Sequence, residues 1–288
     1  MAAVLSASLE AVSLEALEIC DEVVASIAAD VERQGYAVVD GALGEAHASA
    51  LRASCLAVEK KASTIAEGTE MTVDGSRRDD VVGWVKESND ETIARHRRAM
   101  DSLRERLEAA LGLKMDSSSF MTAEYAAGSK GYVRHRDAAP RRPSGRKLTA
   151  LYYLNPAWAP GDGGELRLWP GSCDEAYLRG AAGAGADLAV APKNDRLVVF
   201  RAPLEHAVLA SRARRVALTT WFFNRLELGL ELIAEKRALR AKANEEEAQQ
   251  ATKAAEEIFE CEVGCGFRGA FDAVAAHEKT CRPAAAAQ

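Results

Sequence analysis

The sequence lacks the long apolar run that a membrane-spanning helix requires, because no stretch approaches about 18 uninterrupted apolar residues. The first stretch, MAAVLSASLEAVSLEALEICDE, has no basic region and carries acidic residues within its apolar part, which is not typical of a secretory signal peptide. An excess of positive charge is missing too, since the 288 residues carry a formal net charge of −6. We therefore expect neither a membrane span nor a general affinity for nucleic acid.

Cysteine is sparse and does not follow the pattern of a secreted disulfide framework. The chain has six cysteines, of which Cys261, Cys265 and Cys281 crowd into the last 30 residues while the other three are scattered. We therefore expect a reducing compartment, the cytoplasm or the nucleus.

Periodicity predicts a helical first part. Helical spacing predicts helices over residues 8–34 and 91–111, with a strand at 36–40 between them and Gly112 as the natural end of the later helix. A further helix follows the strand, because near-helical spacing places five side chains on one face: Leu43, His47, Leu51, Cys55 and Val58.

The pattern changes after Gly112 to short β-rich runs separated by Gly, Pro, Asp and Asn. The runs are 119–125, 132–137, 147–154, 165–169, 196–201, 206–211 and 215–223. Many short strands with turn residues between them predict a sandwich or barrel. The Gly- and Ala-rich stretch 179–187 predicts a mobile loop, and 226–258 predicts a helix with a polar second half.

Two histidines and an aspartate form a candidate metal site in the β-rich part. His135 and Asp137 end one predicted strand two positions apart, so both side chains point to the same face. His206 opens a later predicted strand. This donor set is the facial triad of non-haem iron(II) oxygenases, which leaves three coordination positions open. The H-x-D motif in isolation more often arises from a surface histidine beside a turn aspartate.

Arg215 strengthens that interpretation because it opens the last predicted strand, a few residues after His206. A guanidinium group offers a planar fork that binds a carboxylate through two hydrogen bonds. A dicarboxylate co-substrate such as 2-oxoglutarate needs such a partner for its far carboxylate. The alternative is a surface charge at the start of a strand.

Several segments then match a known family in order and at family spacing. They are GYVRHRD (131–137), LYYLN (151–155), GGELRLWP (163–170), PKNDRLVVF (192–200) and the stretch from His206 through Arg215 to Phe223. Together they resemble the catalytic core of the hypoxia-inducible-factor prolyl hydroxylases and their protist relatives. A looser resemblance runs through 35–43 and 77–84. It implies an α+β fold: a double-stranded β-helix (jelly-roll) oxygenase core with supporting amino-terminal helices.

The resemblance also implies a role for each matching residue. The implied iron ligands are His135, Asp137 and His206. Arg215 is implied to pair with the C5 carboxylate of 2-oxoglutarate, Tyr153 to hydrogen-bond the same carboxylate, and Tyr125 to line the pocket near the metal. Further implied pocket positions are Met121, Tyr132, Thr219 and Trp221. Implied substrate contacts are Arg78, Asp80 and Arg146. For each aromatic residue, ordinary strand core is the simpler explanation without the family.

The activity implied by the resemblance is hydroxylation of C4 of a proline in a protein substrate. It uses Fe(2+), 2-oxoglutarate and O2, is supported by ascorbate, and releases succinate and CO2. Two loops, 138–150 and 173–191, are longer than the family pattern and lie where substrate approaches, so the substrate stays open. Two other functions remain: a 2-oxoglutarate oxygenase acting on another residue or a small molecule, and a non-catalytic zinc-finger adaptor.

Basic residues surround the metal motif although the chain as a whole is acidic. They are Arg134, Arg136, Arg141, Arg142, Arg146 and Lys147. This local reversal of charge either attracts an acidic substrate segment or belongs to a solvated loop.

The end of the chain has the ligand count and spacing of a structural Zn(2+) site: Cys261, Cys265, His277 and Cys281. The segment is too short for a core of its own, so metal would supply most of its folding energy. Phe267 and Phe271 are expected to form a small core, and FDAVAAHEKTC to form a helix. The segment resembles a C2HC zinc finger, and incidental or disulfide-bonded cysteines are the alternative. Its helix has few basic residues, which favours a protein partner over nucleic acid.

These observations predict four parts. Residues 1–34 form an amino-terminal helical segment, 35–225 the oxygenase domain, 226–258 a helical linker and 259–284 the zinc finger.

Overall fold

The computed structural model describes residues 17–67, 70–86, 90–138, 145–172 and 187–282. The helices are α1 (Asp21–Gln34), α2 (Glu45–Ala57), α3 (Glu91–Leu111), α4 (Arg225–Glu256) and α5 (Phe271–Glu278). The strands are β1 (Tyr36–Asp40), β2 (Lys61–Ala62), β3 (Ile65–Glu67), β4 (Glu70–Thr72), β5 (Val81–Val85), β6 (Ser117–Tyr125), β7 (Tyr132–His135), β8 (Arg146–Tyr153), β9 (Leu166–Trp169), β10 (Leu188–Val190), β11 (Arg196–Arg201), β12 (Glu205–Val208), β13 (Arg215–Phe223), β14 (Phe259–Glu260) and β15 (Arg268–Gly269). The chain divides into two compact units, Met1–Glu231 and Leu232–Gln288.

Two antiparallel sheets form the core of the first unit, which also contains the two-stranded sheet of β3 and β4. The larger has seven strands in the order β1-β11-β8-β13-β6-β5-β2, and the smaller has four in the order β10-β9-β12-β7. One apolar cluster joins them, with Tyr153 and Phe200 from the large sheet packed with Leu166 and Leu168 from the small one. This arrangement is the jelly-roll oxygenase fold, so the predicted α+β class is confirmed.

The first three helices cover the other face of the large sheet. Helix α3 forms because Asp90 caps its first turn, accepting a hydrogen bond from the Ile93 backbone N–H, and because Gly112 ends it at a φ of 64°. Its apolar stripe, including Leu103 and Leu107, is fully buried against the sheet and the other two helices. The helices thereby support the large sheet and fix the positions of the side chains on its inner face.

The predicted strands after Gly112 all form, with small differences at their ends. Strand β7 ends at His135, so Asp137 lies just beyond it rather than within it. Strands β14 and β15 of the second unit were not predicted, and neither were five strands of the first unit: β2, β3, β4, β5 and β10. Four of them lie between α2 and α3, where short strands alternate with polar turns and give no clear period. The fifth is three residues long.

The predicted helix over 8–34 is shorter where it is described, since residues 17–20 are not helical and α1 begins at Asp21. Residues 1–16 lie outside the described part, as does almost all of the predicted loop 179–187. No described helix is both long and apolar enough to cross a membrane.

The first turns of α4 contact the barrel. The Asn224 backbone N–H donates to the Gly145 carbonyl at 2.8 Å, and Lys147 pairs with Glu227. A Cβ added at Gly145 would lie 2.2 Å from the Leu228 backbone, so helix and strand meet closely there. By contrast, Leu230 is 58% exposed.

The second unit contains the hairpin of β14 and β15, followed by α5. Helix α5 stops at Glu278, so the predicted helix through Cys281 is too long, although the Cys281 backbone N–H still donates to the His277 carbonyl at 2.9 Å. The expected core of two phenylalanines is wrong, because Phe267 is 39% exposed and Phe271 is 62% exposed. Among residues 257–282 the buried side chains are Cys261 and Val274.

Candidate active site

A cavity of about 280 Å³ lies in the first unit and collects nearly all of the predicted site residues. Its lining includes Arg78, Asp80, Met121, Tyr125, Tyr132, His135, Asp137, Arg146, His206, Arg215, Thr219 and Trp221. Tyr153 is fully buried and lies behind this lining, where its hydroxyl is 3.4 Å from Arg215 Nη2. The tertiary structure therefore brings these residues from six segments of the chain to one place.

The triad residues meet because β7 and β12 are neighbours in the small sheet and pair His135 with His206. Gly131 permits this pairing: its φ is 89°, and a Cβ there would lie 2.1 Å from the Val208 carbonyl oxygen. One ligand atom from each of His135, Asp137 and His206 lies within 4.8 Å of the others. That spacing fits three protein ligands around one metal ion.

Both imidazoles are held in the same tautomer. The Nδ1 atom of His135 lies 2.8 Å from the Val133 carbonyl, and that of His206 lies 3.0 Å from the Leu204 carbonyl. A carbonyl only accepts, so each Nδ1 carries the proton and each Nε2 offers its lone pair to the site. Tyr132 stacks on the His135 ring with 3.6 Å between centroids, which further restricts that ring.

The protonation states also suit a metal. Burial, and then the neighbouring His206, lower the pKa of His135 to about 3, so its imidazole is neutral near pH 7. Burial raises the pKa of Asp137, but the two imidazoles and the Thr149 hydroxyl outweigh that effect and hold it below its ordinary value. Two imidazoles beside a carboxylate are the donor set of a divalent transition-metal ion.

Arg215 is a buried cation at the inner end of the cavity, with 3% of its surface exposed. Its Nε donates to the Gly164 carbonyl at 2.8 Å, and its guanidinium centre lies 5.0 Å from the rings of both Tyr125 and Tyr153. Within the described ranges it forms no ion pair with an acidic side chain. A buried charge of this kind calls for an anionic partner, and a ligand carboxylate supplies one.

Arg78 and Asp80 line the cavity but bind each other. Two hydrogen bonds of 2.8 and 2.7 Å join the guanidinium to the carboxylate. Burial lowers the pKa of Arg78, but Asp80 outweighs this and raises it above its ordinary value. The guanidinium also lies 4.3 Å from the Tyr132 ring, and that ring stacks on the His135 ring. The pair therefore buttresses the metal side of the cavity, whether or not it also contacts substrate.

Part of the basic charge around the metal motif is paired within the protein. Arg134 and Arg136 both pair with Glu205, and Lys147 pairs with Glu227. Arg141 and Arg142 lie outside the described residues. Arg146 remains at the cavity, with its guanidinium 4.8 Å from the Trp221 ring. These ion pairs weaken the predicted attraction of an acidic segment in the described region, where Arg136 and Arg146 both line the cavity.

Some cavity residues escaped the sequence analysis. Thr149 and Leu151 line the cavity from β8, four and two positions before Tyr153. The two-residue period of a strand would have found them once Tyr153 was assigned inward. Thr64 and Met71 also line the cavity. They lie among the short strands between α2 and α3, which the sequence patterns did not predict.

A second cluster of ligand atoms lies in the second unit. Cys261, Cys265, His277 and Cys281 each place one donor atom within 4.8 Å of the others, and Cys265 Sγ is 3.0 Å from His277 Nε2. The backbone N–H of Phe267, and then His277, lower the pKa of Cys265 to about 6. Three thiols and an imidazole at this spacing are compatible with a tetrahedral zinc site.

Comparison with known proteins agrees with the geometry of the cavity. Residues 120–223 match the profile of the 2OG-Fe(II) oxygenase superfamily. The chain is 35% identical over 156 residues to Egl nine homolog 1 of Homo sapiens, a match that covers 51% of this chain and 33% of the relative. It is 37% identical over 114 residues to prolyl hydroxylase EGLN3 of Mus musculus, covering 38% of this chain and 41% of the relative. The chain thus spans well under half the length of these curated relatives.

Solved structures resemble the first unit over a larger share of their length. A prolyl-4-hydroxylase from Pseudomonas putida aligns with a TM-score of 0.58 and 28% identity, covering 70% of this chain and 99% of that one. A prolyl hydroxylase from Trichoplax adhaerens, solved with a peptide fragment of the hypoxia inducible factor oxygen degradation domain, aligns with a TM-score of 0.61 and 25% identity. That match covers 73% of this chain and 92% of that one.

Proposed function

We propose that this chain, whose barrel contains a 2OG-Fe(II) oxygenase domain, is an iron(II)- and 2-oxoglutarate-dependent dioxygenase that hydroxylates C4 of a proline in a protein substrate. The observation that carries the proposal is the cavity itself. It holds two imidazoles and a carboxylate within 4.8 Å of one another and, among the same lining residues, a buried arginine without an acidic partner.

His135, Asp137 and His206 would hold the iron, and Arg215 the far carboxylate of 2-oxoglutarate. Bound iron with its 2-oxo acid supplies the oxidising chemistry, in which O2 is consumed and succinate and CO2 are released. The protein binds and orients. Arg215 is already directed by the Gly164 carbonyl and by two tyrosine rings, so little ordering remains when a carboxylate arrives.

The remaining lining shapes the cavity and limits water. Tyr125 and Tyr153 are buried, and burial raises the pKa of each phenol, so both stay protonated and are able to donate a hydrogen bond. Met121, Thr219 and Trp221 line the same cavity and are each less than one-tenth exposed. This enclosure strengthens the charge pairing at Arg215 because fewer water molecules compete for it.

A protein substrate is supported by the relatives named as prolyl hydroxylases and by the cavity mouth. Trp84 is 53% exposed and packs on Trp221 with 5.5 Å between ring centroids. Arg146 lies on the same Trp221 ring. An exposed aromatic side chain beside a guanidinium suits the apolar ring of a proline and the backbone carbonyls next to it.

We further propose that Cys261, Cys265, His277 and Cys281 hold Zn(2+) and that the finger binds a protein partner. The donor atoms already lie within 4.8 Å of one another, and the segment has only two buried side chains among its described residues. Exposed Phe271 offers apolar surface to a partner. The location in the cytoplasm or nucleus stays a prediction.

The proposal is tested by measuring succinate formation with and without proline-containing peptides, followed by mass spectrometry of the peptides. Ascorbate, expected from the resemblance, is included in the assay. We expect peptide-dependent succinate and a mass gain of one oxygen on proline, absent from a matched peptide with alanine in place of proline. His135→Ala, Asp137→Ala and His206→Ala should each abolish turnover while the protein stays folded. Turnover unchanged in any of them would remove that residue from the iron site.

A further inference from the structure

The carboxylate of Asp137 is bound unequally at its two oxygens. Its Oδ2 accepts a hydrogen bond of 2.7 Å from the Thr149 hydroxyl and one of 3.0 Å from the Trp221 indole N–H. Its Oδ1 lies 4.0 Å from His135 Nε2, and its Oδ2 lies 3.9 Å from His206 Nε2. Both oxygens therefore face an imidazole, but the two donors occupy lone pairs of Oδ2, which leaves Oδ1 as the freer metal ligand.

Both donors belong to the large sheet, although Asp137 itself lies beyond the end of a strand in the small one. Thr149 and Trp221 are direct partners in the pairing of β8 with β13. Thr149 is 1% exposed and Trp221 is 7% exposed. A cross-strand pair in the middle of a sheet moves little, so it holds the carboxylate of a residue whose own backbone is less constrained.

We propose that Thr149 and Trp221 are positioning residues that hold Asp137 as a one-oxygen ligand of the metal. The inference rests on the proposed function, because it requires the triad to bind a metal. A carboxylate that used both oxygens would take one of the three positions that co-substrate and O2 need. Saturating Oδ2 with hydrogen bonds from rigid strands prevents that rotation and keeps Oδ1 directed to the metal.

Trp221 connects this arrangement to the cavity mouth. Its ring packs against the Trp84 ring and lies 4.8 Å from the Arg146 guanidinium. The side chain that orients the metal ligand is therefore also part of the surface that faces substrate. Thr149 has no such second role, so the two donors are separable by substitution.

The test is metal affinity of the metal-free full chain, measured by titration with Mn(2+) followed by electron paramagnetic resonance. Thr149→Val removes the hydroxyl at nearly constant volume, Trp221→Phe removes the N–H, and Thr149→Ser restores the hydroxyl. Thr122→Val is the matched control, because Thr122 is a buried strand threonine on the helix-facing side, near Cys55. Melting temperatures of the metal-free proteins report folding separately, and Co(2+) spectra report ligand geometry.

Losing one outer hydrogen bond to a metal ligand typically weakens metal binding about 10- to 100-fold. We expect that loss for Thr149→Val and Trp221→Phe, with a shifted Co(2+) spectrum, and near-wild-type affinity for Thr149→Ser and Thr122→Val. Unchanged affinity in both Thr149→Val and Trp221→Phe would overturn the inference, as would an equal loss in Thr122→Val. A wild-type chain that binds no metal at the triad would instead overturn the proposed function.

Discussion

The two clusters of metal-ligating side chains lie in opposite surroundings. The His135, Asp137 and His206 cluster is built on two sheets with a continuous apolar core, in which Tyr153 and Phe200 are fully buried. The cysteine cluster lies in a segment where, among described residues, only Cys261 and Val274 are buried. A segment of that size cannot bury enough apolar surface to fold by itself. The barrel therefore folds without its metal and holds the ligands in place, whereas the finger needs its metal in order to fold.

The largest expected effect is loss of the finger without zinc. The peptide 257–284 should be unstructured under chelator and fold when Zn(2+) is added, because structural zinc contributes about 10–16 kcal/mol in comparable peptides. Circular dichroism of the peptide with and without metal measures this, and Cys281→Ser serves as the control that should not respond. A peptide that is already folded under chelator would contradict the view that the finger, unlike the barrel, needs metal in order to fold.

The next effect concerns Arg215. Arg215→Ala should raise the apparent KM for 2-oxoglutarate far more than that for the peptide, because truncating one partner of a buried charge pair costs about 2–5 kcal/mol. At about 1.4 kcal/mol per factor of ten, the change is on the order of 30- to 4,000-fold.

Arg214 provides the matched control for this substitution. It is the preceding residue, its side chain is 49% exposed, and it pairs with Glu124 outside the cavity. Arg214→Ala should leave both KM values near those of the wild type. An unchanged 2-oxoglutarate KM in Arg215→Ala would show that the co-substrate carboxylate binds elsewhere.

A smaller effect should locate the end of the self-sufficient barrel. Truncation after Glu231 should leave the free energy of unfolding of the barrel unchanged, whereas truncation after Asn224 should lower it by about 1–3 kcal/mol. The shorter chain loses the Lys147–Glu227 ion pair, the contact of Gly145 with Leu228 and the hydrogen bond from the Gly145 N–H to Glu231. Urea unfolding of both truncated chains measures the difference. Equal stabilities would mean that the helix contributes nothing.

The smallest effect is a pH dependence that belongs to the barrel core and needs no metal. His96 is fully buried against His47, with 3.3 Å between their ring nitrogens, and burial lowers the pKa of His96 to about 3. The unfolded chain takes up that proton below pH 6.5, so stability is lost as pH falls from 6.5, by at most about 1.4 kcal/mol per pH unit for this group.

Between pH 6.5 and 4, His96→Leu should therefore reduce the slope of the free energy of unfolding against pH. The reduction should correspond to the uptake of nearly one proton on unfolding. Denaturant unfolding at several pH values, under chelator, compares this variant with the wild type. An equal slope in both proteins would mean that His96 does not stay neutral in the fold.

The sequence alone predicted the elements that carry a strong period. The stripe of Ile93, Met100, Leu103 and Leu107 predicted α3 with its observed bounds, because its apolar residues recur at helical spacing between Asp90 and Gly112. The strand 215–223 was predicted with its observed bounds as well. Strands β2 to β5 were missed, because short strands with mixed exposure have no period to detect. The cavity residues Thr64 and Met71 lie in this region and were missed for the same reason.

The amino-acid sequence by itself determined which donors exist and in what order: the H-x-D pair, the later histidine, the arginine that follows it and the four zinc-type ligands. These are local facts, since residue type and spacing are written in the chain. Only the tertiary structure decided which groups meet. Thr149 and Trp221 lie far apart in sequence but pair across β8 and β13, and both donate to Asp137. The same packing leaves Arg215 buried without an acidic partner among the described residues, because strand order and burial are properties of the whole sheet.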